Sequence, residues 1–284
     1  MRYDAHIHML LDGEDWRAAI ARHKTAPDEG YIRAVLARYR AWGVTHLRDG
    51  GDRWGVCTRA ARLAEEYGID YKTPAFPIYK AGCYGSFIGR GYEDLSEYGT
   101  LVERAACEGA DFIKIMISGI MDFDRFGVIT GEPYAPEDIR ELIRIAHAAG
   151  FRVMAHANGA RTVQAAAEAG VDSVEHGAYL DEAALRAMAE HGTLWTPTIV
   201  TIGNLIGCGR YPDDVLRPLF RLHAENIRQA AAFGVPIAVG SDAGAYRVLH
   251  AQGAADERRY LEELLGRDAE ALRRGEQAMD KWFT

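Results

Sequence analysis

No apolar stretch in this chain approaches the ~18 residues that a membrane-crossing helix needs. The first residues, MRYDAHIHML, lack the apolar core of a secretion signal. Cysteine is scarce: Cys57, Cys83, Cys107 and Cys208 show neither CxxC pairing nor regular spacing. That argues against a disulfide framework and a zinc knuckle, and reads as reduced thiols in a cytoplasmic protein. Positive charge is in the minority, with 33 Lys and Arg against 41 Asp and Glu, for a net charge of −8. A protein that neutralises phosphates shows the opposite sign, so neither nucleic acid nor an anionic membrane is expected as a partner. Pro- or Ser-rich linkers and low-complexity tracts are missing too, and 1–284 reads as one domain.

What is present is a recurring phrase: an Ala-rich helical pattern, then Gly, then a short apolar run. It occurs at Gly43, Gly68, Gly109, Gly150, Gly170, Gly192 and Gly234. Glycine closes a helix because it adopts positive φ without a Cβ clash. The short β-branched or aromatic run that follows reads as a buried parallel strand. With a further strand at about residues 2–8, these junctions predict eight strands. They alternate with helices near 30–42, 54–67, 97–109, 137–149, 159–169, 181–191, 214–233 and 254–265. Strict alternation forces parallel pairing, since each helix returns the chain to the starting edge. The expectation is an α/β fold, a closed (β/α)8 TIM barrel. The alternative, an open doubly wound sheet, is disfavoured because no GxGxxG turn follows the first strand.

The strand-to-helix connections at 80–96, 118–136, 198–213 and 243–253 are long and rich in Gly and aromatics, whereas the helix-to-strand connections read as one or two residues. On a barrel, that asymmetry loads the rim at the strand C-termini, where chemistry resides. Residues able to do chemistry sit at those strand ends. In DAHIH, the alternation of an extended chain puts His6 and His8 on one face, with Ala5 and Ile7 turned to the helices. Such a pair is either two imidazole ligands or two solvated polar residues. His156 (VMAHANG) and His176 (VEHGAY) end strands five and six, and singly each reads as well as a hydrogen-bonded structural residue. Asp242 (VGSDAG) ends strand eight, where a helix N-cap is the plainer reading. Lys114 lies inside DFIKIM, and an unpaired ammonium there is unfavourable by several kcal/mol. It either snorkels to the rim or is a carbamate, formed with CO2, that bridges two cations.

HxH, Lys, His, His and Asp in that order make the chain resemble the amidohydrolase superfamily in its binuclear, carboxylated-lysine form. DAHIHM, GVTHLRDGG, DFIKIM, VMAHANG, VEHGAYL, TLWTPTI and GVPIAVGSDAG carry the resemblance nearly end to end, closest to the imidazolonepropionase-like and prolidase-like branch. It implies two divalent metal ions, held by His6, His8 and Asp242 on one side, by His156 and His176 on the other, and bridged by carboxylated Lys114. It also implies a bridging hydroxide as nucleophile and Asp242 as the catalytic proton carrier. Imidazoles and carboxylates suit zinc, and manganese, cobalt or nickel are compatible. Members typically add a small β-sandwich; here the barrel pattern begins at Met1 and the tail RRGEQAMDKWFT reads as helix, so an unaccompanied barrel is expected.

Arg48 and Asp49, closing strand two, are candidates to support the ligands by hydrogen bonds. Tyr84, Arg125, Tyr134, Tyr246 and Arg247 lie in the long loops and are candidate contacts for a small-molecule substrate. His250, in RVLHAQGAADE, is a candidate contact or a plain loop histidine; His23, His46, His147, His191 and His223 read as structural. The expected activity is metal-dependent hydrolysis of an amide-type C–N bond in a dipeptide, N-acyl amino acid or cyclic amide. Alternatives on the same site are a lactone or phosphotriester hydrolase and a non-catalytic metal-binding barrel. Barrels of this kind commonly associate into homo-oligomers.

Overall fold

In the computed structural model, which describes residues 2–267 and 269–284, strands and helices alternate as the glycine-punctuated pattern requires. The strands are β1 (Tyr3–Ile7), β2 (His46–Asp49), β3 (Asp70–Lys72), β4 (Pro77–Lys80), β5 (Arg90–Tyr92), β6 (Ile113–Met116), β7 (Val153–Ala157), β8 (Ser173–His176) and β9 (Leu194–Thr196). The helices are α1 (Trp16–Arg22), α2 (Glu29–Ala41), α3 (Val56–Ala64), α4 (Leu95–Cys107), α5 (Pro136–Ala148), α6 (Ala160–Glu168) and α7 (Glu182–His191). They continue as α8 (Val200–Gly203), α9 (Asp213–Phe233), α10 (Gln252–Leu265) and α11 (Glu270–Asp280). All eight expected helices form within two residues of their predicted bounds, the second with a short 3-10 turn at Glu65–Tyr67. Gly192 and Gly234 close α7 and α9 in the left-handed region, at φ 66° and 89°.

All the named strands pair in parallel, and the ring closes. β2 joins β1 to β3; β4 joins β5 to β6, and β7, β8 and β9 follow in order. The third expected strand is broken into β3 and β4 at Ala75, whose φ is 62°. Its first half pairs with β2, Leu47 opposite Tyr71, and its second half with β6, Pro77 opposite Lys114. The eighth expected strand, VPIAV, is not a regular strand: Pro236 offers no N–H, and Asp242 turns left-handed at φ 58°. The segment nevertheless bridges both neighbours. Trp195 N donates to Pro236 O at 2.9 Å and Ala238 N to Trp195 O at 2.8 Å. On the other side Ala5 N donates to Val239 O at 2.9 Å and Asp242 N to His6 O at 2.7 Å. These bonds make a closed barrel, and the open sheet is ruled out.

Several local expectations are corrected. Ala5 does not face the helices. A register shift between Asp4 and Ile7 breaks the alternation, so Ala5 packs inside the barrel with Phe112, Met154 and Trp282. Ile7 does face α2, packing with Ile32 and Leu36. Helix-to-strand connections are longer than expected, as at 108–112 between α4 and β6. The loop 80–96 carries β5, and 118–136 folds as a hairpin bridged at Met121 and Ile129. The tail is helical as expected: α11 and Trp282 close the barrel floor, with the Arg48 guanidinium 4.3 Å from the Trp282 ring centre. No helix among the described residues is long and apolar enough to cross a membrane.

Glu257 on α10 is fully buried, and its Oε2 accepts from Val200 N at 2.7 Å, at the start of α8. Burial pushes this carboxyl up to about 8. The unfolded chain ionises near pH 4.5 and the folded chain only near pH 8, so this group's contribution is complete below pH 4.5. It is lost as pH rises towards 8, by on the order of a few kcal/mol. Glu257→Gln should flatten that part of the stability profile, measured as urea midpoints between pH 4.5 and 8.

Candidate active site

The register shift in β1 is the first determinant of the site, because it turns both histidines of HxH inward after Ala5. His6 and His8 rings lie 5.2 Å apart. Gly50, at the end of β2, lets the His8 ring approach: a Cβ there would lie 2.3 Å from His8 Cε1. Asp242 arrives from the segment after Pro236, its left-handed backbone aiming the carboxylate back at β1. Asp242 Oδ1 lies 3.4 Å from His8 Nε2 and 3.6 Å from His6 Nε2. One ligand-capable atom from each of the three residues falls within 4.8 Å of the others.

His156 and His176 complete the ring of imidazoles. Their rings are 4.7 Å apart, and His176 lies 5.2 Å from His6. His156 Nε2 donates to the Gly119 carbonyl at 3.0 Å, so its Nδ1 keeps the free lone pair. His176 Nδ1 meets Thr198 Oγ1 at 2.9 Å and leaves Nε2 for the site. A φ of 70° at His176 allows it and its neighbour Glu175 to reach the barrel interior in succession.

Lys114, on β6, is fully buried, and its Nζ has no hydrogen-bond partner among the described residues. The snorkelling reading therefore fails: the amine stays inside. Burial pushes Lys114 down and Asp242 up, each towards its neutral form, while their mutual attraction opposes both shifts. Burial, reinforced by the nearby Lys114 ammonium, drives His8 and His156 down to about 3. His6 and His176 are lowered as well, again by burial first. All four are neutral imidazoles near pH 7, which is the form that ligates metals.

Sequence reasoning missed Glu175. It is fully buried, with Oε2 2.9 Å from His6 Nδ1 and Oε1 2.8 Å from the Arg48 guanidinium. The carboxylate sets its negative charge beside His6 Nδ1, the nitrogen where a ring proton is then favoured, while Nε2 faces Asp242. Arg48 also donates to Ala5 O, Ser173 Oγ and Thr196 Oγ1. Asp49 has a different task, accepting from Met9 N, Gly51 N and Tyr71 Oη to hold the β1 and β2 exits. The signal for Glu175 was available, since it directly precedes a candidate ligand at the end of a strand.

A cavity of about 440 Å3 opens over these groups. Tyr84 and Tyr246 line it. Four other candidate contacts stand elsewhere. Arg125 is exposed and paired with Asp122 at 2.6 Å. Tyr134 is buried, its hydroxyl accepting from Lys80 N at 2.6 Å. Arg247 lines a separate polar hollow beside Asn204 and Asp256. His250 is buried, bonded to Leu11 O at 2.9 Å and 3.2 Å from Tyr39 Oη. Leu11, Glu14 and Trp16, from the long connection after β1, were missed and do line the cavity.

Replacing Arg48 by Met strands the Glu175 carboxylate in the barrel centre and should cost about 3–5 kcal/mol in urea unfolding. Because the cost comes from the uncompensated partner, the double variant Arg48→Met/Glu175→Gln should lose less than the sum of the single losses.

Comparison with known proteins adds three likenesses. Over 282 residues the chain is 30% identical to ochratoxinase of Aspergillus niger, covering 84% of this chain and 56% of that protein. Over 147 residues it is 32% identical to imidazolonepropionase of Ectopseudomonas mendocina, covering 50% of this chain and 30% of that one. The chain thus spans little more than half, or less, of these relatives' lengths. A solved Xaa-Pro dipeptidase with bound methionine superposes with a TM-score of 0.77 at 22% identity, covering 99% of this chain and 74% of the other, and so matches in fold. The family model for amidohydrolases matches residues 3–281; the chain belongs to the amidohydrolase family.

Proposed function

We propose that this protein is a metal-dependent hydrolase of an amide-type C–N bond, in a dipeptide, an N-acyl amino acid or a cyclic amide. One observation carries the reading: a buried lysine amine that has no hydrogen-bond partner among the described residues, ringed by four neutral imidazoles and a carboxylate at the strand C-termini. The names of the relatives, ochratoxinase and Xaa-Pro dipeptidase, agree with hydrolysis at such a bond.

The donor set fits divalent cations. His6, His8 and Asp242 would hold one, and His156 and His176 a second beside it. Zinc suits these nitrogen and oxygen donors. Lys114, its amine pushed down by burial so that the neutral form is accessible, is suited to attack CO2. Its nitrogen would form the new N–C bond and release a proton to solvent, leaving a carbamate whose single negative charge is shared by two oxygens, a donor suited to both groups of ligands. When bound, a pair of divalent ions acidifies water and polarises a scissile carbonyl.

Asp242 reaches the cavity with 16% of its side chain exposed. It would take the proton from the attacking water and deliver it to the departing nitrogen, so that the amine leaves neutral. Glu175, itself paired with Arg48, would favour the His6 tautomer protonated on Nδ1, with Nε2 left for a metal ion.

Protein purified without chelator should contain about two divalent ions per chain by elemental analysis, the number of a two-metal site, and Lys114→Met should lose them. Asp242→Asn should keep much of the metal while turnover of amide substrates falls at least ~100-fold. Metal-free protein with undiminished amidase activity would overturn the proposal.

A further inference from the structure

The ring and the backbone carbonyl of His176 are both held from one short strap of chain, β9 and the residues up to Val200. The Trp195 indole N–H donates to His176 O at 3.0 Å, and Thr198 Oγ1 lies 2.9 Å from His176 Nδ1. Thr198 is buried, and its backbone is left-handed, with φ 49°. A β-branched residue rarely adopts that conformation, and it persists only where the surroundings impose it.

Two helices of the outer ring impose it here. From α9, His223 Nε2 donates to Pro197 O at 2.9 Å. From α10, the Glu257 carboxyl accepts from Val200 N at 2.7 Å. The amides of Ile199 and Thr198 also lie close enough to favour its charged form. His223 and Glu257 are both buried, and Glu257 Oε1 has no hydrogen-bond partner among the described residues. Burying a carboxyl is costly, and the hydrogen bonds that offset the cost go to this strap. Neither helix supplies a candidate ligand, and the hydrolytic mechanism uses neither Glu257 nor Thr198. The strap is therefore fixed from outside by α9 and α10, and on its inner side it presents the Thr198 hydroxyl to His176.

We propose that Glu257 and Thr198 are positioning residues for the second group of ligands, His156 and His176. The Glu257 carboxyl locks the strap in its left-handed turn, and the Thr198 hydroxyl oxygen, so placed, accepts from His176 Nδ1. A neutral imidazole carries one N–H, so Nε2 keeps the lone pair, with the His156 ring 4.7 Å away. The inference rests on the two-ion reading of the site. It adds that the ion at His156 and His176 depends on α10, whereas His6 is oriented through Glu175 instead.

Two measurements test it. The first is NMR of the metal-free protein with 15N-labelled histidine, the His176 signals being assigned by their loss in His176→Asn. His176 should be protonated on Nδ1 in the wild type. In Thr198→Val, which keeps the β-branched shape and loses the hydroxyl, both tautomers should appear. The second is titration with zinc against a competing chelator. Thr198→Val should weaken one ion by about 10–100-fold and leave the other as in the wild type, and Thr198→Ser should restore both. Glu257→Met should behave as Thr198→Val, whereas Glu257→Gln, which keeps an acceptor oxygen, should hold both ions. Should Glu257→Met not fold, the Thr198 variants decide. An unchanged tautomer and unchanged affinities in Thr198→Val overturn the proposal, and so does equal weakening of both ions, which reports a general loss of structure. A wild-type protein that binds no zinc refutes the metal reading of the site, and the NMR of the metal-free protein still judges the role of Thr198.

Discussion

The barrel of this protein is organised around an ion pair with no access to solvent. Arg48 and Glu175 are both fully buried and meet at 2.8 Å in the middle of the ring. Two opposite charges at such a place repay their desolvation only when nearly every polar atom is engaged. Arg48 reaches β1, β8 and β9 through Nε and Nη2, donating to Ala5 O, Ser173, Glu175 and Thr196, while Nη1 has no hydrogen-bond partner among the described residues. Its flat face rests on Trp282 from the C-terminal tail. Strands remote in sequence are thereby tied through one side chain, and the free oxygen of Glu175 is left facing His6. The orientation of a candidate ligand follows from how the barrel floor is neutralised.

Local backbone departures do the rest. An ideal strand would place only alternate residues of DAHIH inside, and an ideal eighth strand would carry Asp242 away from β1. The register shift in β1 and the left-handed φ values at His176 and Asp242 break that regularity where side chains must converge. Each such position costs of order 1–3 kcal/mol and persists only because the surroundings overdetermine it. For Asp242, the surroundings include its own N–H to His6 O and the clasp of Asp4 on Ser241 N and Oγ, at 2.8 and 2.7 Å.

Much of the fold was legible. Helices ended by Gly192 and Gly234, followed by short apolar runs, report their own boundaries because the left-handed cap is a local requirement. The inward set of His6, His8, Lys114, His156, His176 and Asp242 was legible as well, since strand ends are recognisable and polar residues there are conspicuous. Ala5 was misplaced because a register shift arises from pairing with β2 and cannot be seen in β1 alone. Tyr134 and His250 were misjudged for a related reason. A loop aromatic or histidine reads as exposed until the chain it meets is known, and these two meet Lys80 N and Leu11 O.

The order of strands and helices, and the chemical type of each side chain at a strand terminus, follow from the amino-acid sequence by itself, because both depend on neighbours within a few residues. Only the tertiary structure decided that the ring closes through an irregular eighth segment. It alone showed that Glu175 faces His6 and that the Lys114 amine stays buried without a hydrogen-bond partner among the described residues. Those relations join residues tens to hundreds of positions apart, and burial, unlike propensity, is a property of the whole packed chain.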